Sequence, residues 1–333
     1  MSHIKLGNVD SDKVELGYAL LSEEHRPKEL VDYAQQAEAS GFTFATISDH
    51  YHPWTHQQGQ SPFAWTTMGA IANATKTLQL GTSVTCPLIR IHPAIIAQAA
   101  ATAASLMPDR FFLGVGTGEN LNEHILGADW PPYEVRSAML EEAVELIREL
   151  WKGKSTSYYG NFYIVENAQV FTLPKNSVPI IVAAEGPNAA KLAGKIGDGF
   201  ICTNPSRELV DTFKAQGDNA DLPCYCQLTV CYDTDEATAR KTAHKQWPIA
   251  IIPGLLNRDL PTPKHFEQAA KLVTEEQIAE KIVCGADSKK HIEIIQKYVD
   301  AGFRKISIHN IGANQEAFLE FYKEKILPQI SKL

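Results

Sequence analysis

The chain has 333 residues, 44% of them hydrophobic and 21% charged, with a formal net charge of −8. That is the make-up of an ordinary globule with ample core, and the acidic balance argues against nucleic acid, which needs a basic face to neutralise phosphate. No apolar run approaches the roughly 20 residues of a membrane span, and the N-terminus lacks the basic and apolar regions of a signal peptide, so a cytoplasmic protein is expected. Six cysteines are few for this length. Cys224 and Cys226 sit too close for a usual zinc pair and no C-x-x-C occurs, which predicts reduced packing residues and no metal site.

Val14–Leu20 reads as a strand, followed by a helix over Pro27–Ser40 that Gly41 stops. Phe42–Ile47 is the next strand, Ala64–Ala74 a helix, Leu78–Val84 a strand and His92–Ser105 a small-residue helix. Phe111–Val115 is a short strand, apolar on both faces, and Tyr133–Trp151 a long helix with its charges on one side. Strands follow at Ile180–Ala184, Gly199–Thr203, Leu228–Tyr232 and Lys305–His309. Helices fall at Asn188–Ile196, Arg207–Gln216, Glu236–Gln246, His291–Ala301 and Asn314–Leu333. About eight alternating strand–helix units in one run predict an α/β fold, a (β/α)8 TIM barrel spanning 1–333 as a single domain. Two segments break the repeat. A β-hairpin insertion is expected near 152–174, and a Pro-rich, partly helical lid near 247–280, with Pro253, Pro261 and Pro263.

In such a barrel the chemistry sits at the C-terminal strand ends. The central strand ends Gly114-Val-Gly116-Thr117-Gly118-Glu119. Its G-x-G-x-G spacing is not the dinucleotide G-x-G-x-x-G, but the glycines let a backbone approach a flat or phosphorylated ligand, with Glu119 above it. The second strand ends Ser48-Asp49-His50, with Trp54 beyond, an acid–imidazole pair suited to proton transfer near neutral pH. The fifth ends Ala184-Glu185-Gly186 and opens a helix whose N–H groups suit an anion, although Glu185 would repel a phosphate there.

These stretches resemble a known family. Thr46-Ile-Ser-Asp49-His50 with Pro53-Trp54, Leu80-Gly-Thr-Ser83-Val84, Phe112-Leu-Gly-Val-Gly-Thr-Gly-Glu119-x-Leu-Asn122-Glu123, Glu149-Leu-Trp151 and Gly199-Phe-Ile-Cys202-Thr203 look like the bacterial luciferase-like barrels, and within them the branch of F420-dependent glucose-6-phosphate dehydrogenases. The resemblance implies a barrel that binds coenzyme F420 at its mouth through Asp49, Ser83, Val84, Thr117, Gly118, Asn122, Ala184 and Gly186, with a cis peptide between Ser83 and Val84. It implies His50 as base at a substrate hydroxyl, Trp54 beside the reacting carbon and Glu119 beside the deazaflavin N1. A homodimer acting on a small molecule is implied as well.

The cationic clamp that holds a sugar phosphate in that branch is altered. Near Thr203 the first lysine becomes Ser206, with Arg207 adjacent; the second becomes Asn257, with Arg258 adjacent; the arginine becomes Lys281. A phosphate dianion buried without its cations loses several charge-assisted hydrogen bonds, so a neutral alcohol or sugar hydroxyl is expected in place of glucose 6-phosphate. The alternatives are an FMN-dependent monooxygenase or reductase of the same superfamily, and a barrel that binds flavin without turnover.

Overall fold

The computed structural model describes residues 13–252 and 254–330; Pro253 and positions 331–333 of the expected last helix lie outside them. β1 (Glu15–Leu20), α1 (Pro27–Ser40), β2 (Phe44–Ile47), α2 (Ala64–Ala74), β3 (Gln79–Thr82), α3 (Pro93–Leu106) and β4 (Phe111–Val115) alternate without interruption. A short helix, α4 (Asn120–Glu123), precedes the long α5 (Tyr133–Leu150). An antiparallel hairpin of β5 (Thr156–Tyr159) and β6 (Ile164–Ala168) follows. Then come β7 (Ile180–Ala183), α6 (Pro187–Ile196), β8 (Gly199–Cys202), α7 (Arg207–Lys214), β9 (Cys224–Cys231) and α8 (Glu236–Gln246). A tight helical turn at Pro248–Ile251 leads to three short helices, α9 (Gly254–Asp259), α10 (Pro263–Ala270) and α11 (Glu275–Lys281). The rest is β10 (Val283–Cys284), α12 (Ser288–Asp300), β11 (Lys305–Asn310), α13 (Gln315–Phe321), a π-turn at Tyr322–Ile326 and α14 (Leu327–Ile330).

Eight of these strands close on themselves in the order β1-β2-β3-β4-β7-β8-β9-β11, all parallel, with β11 returning to β1. The fold is a (β/α)8 barrel. Its strands read as continuous apolar runs because helices cover them outside and side chains fill them inside. Phe44, Phe112, Ile181, Ile201 and Tyr225 form that inner filling. Gly81 stands in register with Phe112, and a Cβ on it would come within 2.1 Å of the Phe112 ring. A small residue facing a large one is what lets the interior close.

Three helices have the bounds expected from sequence, α1, α2 and α8. At α1 the reasons are visible: Pro27 opens it, the Arg26 N–H donates to Glu29 Oε2 at 2.7 Å, and Gly41 ends it at φ 103°. The seventh barrel strand starts at Cys224, four residues before Leu228, the expected start. Cys224 and Cys226 behave as small buried hydrophobes there, so a run broken up by cysteine is a strand all the same. The helix before β11 starts early, at Ser288, where Asp287 accepts the Lys289 N–H at 3.0 Å as an N-cap. β10 pairs with the end of β9, Val283 against Val230, beyond the point where β8 has stopped.

Candidate active site

The loop after β2 carries Asp49, His50 and Trp54, and the loop after β1 meets it. His50 Nδ1 lies 2.8 Å from Glu23 Oε1, a side chain only 1% exposed. Glu23 is held in turn by Ser48, whose hydroxyl donates to Oε2 at 2.6 Å. Burial alone would lower the His50 pKa, but the charge and contact of Glu23, with smaller contributions from Glu119 and Asp49, raise it to about 9. Burial pushes Glu23 up and the His50 and Ser48 contacts outweigh it, leaving its pKa below the usual value. The Trp54 ring stands edge-on to His50 and to Phe266, each with ring centroids 5.1 Å apart. The imidazole is therefore fixed on one nitrogen and one face. Its Nε2 remains, 4.0 Å from Glu119 Oε2.

Glu119 comes to that place because two loops are stitched together. Asn122 Oδ1 accepts the N–H groups of Tyr51 and His52 at 2.9 and 3.1 Å, and His52 Nδ1 sits 2.8 Å from the Leu121 carbonyl. The Asn122 amide nitrogen reaches Glu119 at 3.5 Å. Asn122 thus ties the β4 loop to the β2 loop. Asp49 works inward: its carboxylate takes the Thr85 hydroxyl at 2.7 Å and the Arg90 guanidinium at 2.9 Å. Arg90 also donates its N–H to Glu123 at 2.8 Å. Burial raises the Glu123 pKa, against the hydrogen bond and charge of Arg90.

Ser83 and Val84, joined by a cis peptide, are half-buried at the end of β3. Behind Val84 runs Gly116, where a Cβ would come within 2.7 Å of Val84 Cγ2. Thr117, Gly118 and Glu119 are half-buried beside them, Ala184 is buried at the end of β7, and Gly186, the residue before α6, faces open space. These residues converge on one end of the barrel and form an uncharged floor with charge at its margin.

The residues expected at a substrate phosphate do not converge in the same way. Thr203 donates both its N–H and its hydroxyl to Glu185 Oε1, at 2.9 and 3.0 Å. Ser206 caps α7, its hydroxyl accepting the Leu209 N–H. Arg207 turns to Asp211 at 3.2 Å and to the Asp300 carbonyl. Asn257 donates to the Ile252 carbonyl, and Lys281 to that of Ala250. Glu185 is open to solvent at its edge, yet enough protein surrounds its carboxylate in the concave mouth to raise its pKa, against the Thr203 hydrogen bonds and the charges of Arg258 and Lys281. The cations of this rim therefore already face an anion of the chain itself.

The family model described as luciferase-like monooxygenase matches residues 12–305. The chain belongs to that family. Among curated luciferase-like relatives, the F420-dependent glucose-6-phosphate dehydrogenase of Mycolicibacterium gilvum is 37% identical over 334 residues, covering 96% of this chain and 99% of its own. The enzyme of the same name from Beutenbergia cavernae is 38% identical, covering 95% and 97%. Among solved structures, an F420-dependent secondary alcohol dehydrogenase in complex with an F420–acetone adduct superposes with TM-score 0.90 at 30% identity, covering 96% of this chain and 99% of its own. At lower identity the coenzyme F420-dependent tetrahydromethanopterin reductase of Methanopyrus kandleri shares the luciferase-like fold, with TM-score 0.76 at 22%.

Within this luciferase-like barrel, sequence reasoning passed over Glu23 and Arg90. Glu23 had a signal. It follows β1 directly, so the strand-end rule that selected His50 selects it too. Arg90 had none, because its partners Asp49 and Glu123 are remote in sequence.

Proposed function

We propose that this chain oxidises a neutral secondary alcohol or sugar hydroxyl with coenzyme F420 as hydride acceptor. One observation carries the reading: His50 has Nδ1 held at 2.8 Å by buried Glu23 while Nε2 faces the mouth and Glu119. With Nδ1 paired to Glu23 across 2.8 Å, Nε2 is the nitrogen left to accept the hydroxyl proton. Trp54 fixes the ring from the side and keeps water from it. Glu119, 30% exposed, presents Oε2 to the mouth 4.0 Å from His50 Nε2, where it can hold or release a proton.

The residues fit the cofactor. A planar ring with a polar edge suits an uncharged floor, Val84 over Gly116, bordered by Glu119, Thr117 and Gly118. The open space at Gly186, ahead of the ten-residue helix α6, suits an anionic group. Ser83, Val84, Thr117, Gly118, Ala184 and Gly186 would contact F420, with Asp49 and Asn122 holding the loops that carry them. When bound, F420 supplies the hydride acceptor.

The preference for a neutral substrate rests on Glu185. It takes both donors of Thr203 and faces Arg258 and Lys281, so a phosphomonoester would have to displace a carboxylate. The reading takes the chain as a single barrel domain with two insertions, working as a homodimer in the cytoplasm, where its six buried free cysteines stay reduced.

The test is His50→Ala. Alcohol oxidation is expected to fall by about 10²- to 10⁴-fold, the usual contribution of a general base, with F420 affinity within a few-fold. Normal turnover by the variant removes His50 from the chemistry.

A further inference from the structure

Two adjacent glutamates after β1 turn to opposite neighbours: Glu23 to His50 beyond β2, Glu24 to His309 at the end of β11, the strand on the other side of β1. The second pair has no part in the chemistry above, and it is almost sealed, with side chains 4% and 1% exposed. His309 Nε2 and Glu24 Oε1 lie 3.6 Å apart, and neither has a hydrogen-bond partner among the described residues. The second Glu24 oxygen accepts the Gly312 N–H at 3.1 Å, and His309 Nδ1 lies 3.4 Å from the Thr229 hydroxyl. The imidazole is thus seated beside the Glu24 carboxylate with one polar contact, at Nδ1, and it meets Trp247 edge-on with ring centroids 4.4 Å apart.

Trp247 stands at the point where α8 ends and the Pro248–Ile251 turn begins. It packs in one apolar cluster with Ile249, Ile252 and Phe266, against which Trp54 also packs. Gln58 joins the two sides, accepting the Trp54 N–H at 2.8 Å and donating to the Gln246 carbonyl at 3.3 Å. The contacts form a circuit from His50 through Trp54, Gln58 and Gln246 to Trp247, His309 and Glu24, which neighbours Glu23 in the chain. We infer that Glu24 and His309 are a positioning pair that holds Trp247 as the inner wall of the alcohol pocket and so limits the size of alcohol accepted. The inference rests on the reading of His50 as base to an alcohol.

The test compares the wild type with His309→Gln, Glu24→Gln and Trp247→Phe, using F420 with isopropanol and with cyclohexanol. The kcat/KM ratio of cyclohexanol to isopropanol is expected to rise about tenfold in each variant, through KM with kcat little changed, the scale on which a pocket discriminates by size. A second readout needs no substrate: acrylamide quenching of Trp247, taken as the difference between each protein and its Trp247→Phe counterpart, rises in His309→Gln and Glu24→Gln. An unchanged size ratio overturns the wall, and unchanged quenching overturns the positioning. Should the two polar variants fail to fold, Trp247→Phe alone decides, and a ratio equal to wild type contradicts the inference. If the wild type oxidises neither alcohol, the secondary-alcohol reading of the proposed function fails, while the quenching still tests the pair.

Discussion

At the scale of single residues, the site depends on how Glu23 sets His50. The folded-state pKa of His50, about 9, lies above its ordinary value, so the pair stabilises the protein fully below pH ~6.5 and loses that contribution as pH rises through about 9. Alcohol oxidation needs the neutral imidazole. The acid limb of kcat/KM is therefore expected to follow an apparent pKa of about 9 in the free enzyme. Glu23→Gln removes the largest influence that raises it and moves the limb to lower pH; a limb that stays in place would mean another group titrates. Glu185 makes a prediction of opposite kind. Glu185→Gly frees the Thr203 donors and leaves Arg258 and Lys281 without their internal anion, so activity on glucose 6-phosphate is expected to rise relative to neutral alcohols. A wild type that already prefers the phosphate, with a preference lost in Lys281→Ala, would reverse this account. The sequence showed His50, Trp54 and Glu119 because each sits in a dense local motif. It hid the direction of Arg207, a long side chain on an exposed helix that finds Asp211 one turn on.

At the scale of elements, the hairpin of β5 and β6 is hung on one side chain. Glu142 of α5, buried, accepts the N–H groups of Asn161, Phe162 and Tyr163, each at 2.9 Å, and a Cβ on Gly160 would lie 1.9 Å from its carboxylate. Hydrogen bonds to a charged group contribute more than neutral ones, so Glu142→Ala is expected to cost about 2–4 kcal/mol in urea unfolding. A loss under about 0.5 kcal/mol, the range of a plain surface change, would show that the hairpin tip is held elsewhere. The hairpin itself was legible from its tyrosines around Gly160-Asn161, whereas its attachment was not, since Glu142 lies on a helix whose charges read as an exposed face. Both ends of α1 were legible because proline and glycine mark them, whereas the start of α12 was not, although Asp287 caps it. Nor was the start of β9, although Pro223 precedes it, because Cys-Tyr-Cys-Gln does not read as an apolar run and its burial comes from partners on β8 and β11.

At the scale of the whole molecule, the barrel was legible from the order of elements alone, since eight alternating units have few other ways to bury their strands. Closure is more demanding than order. Gly81→Leu drives a side chain into the Phe112 ring and is expected to destabilise the protein by about 3 kcal/mol or more, read from its thermal or urea midpoint. Stability equal to wild type would contradict the close packing of Gly81 on Phe112. The most direct test of the central claim is a titration of the purified protein with F420 and with FMN, followed by addition of a secondary alcohol and the absorption spectrum of the bound cofactor. F420 is expected to bind and its absorption to bleach with the alcohol; tight binding of FMN with none of F420 would contradict the account.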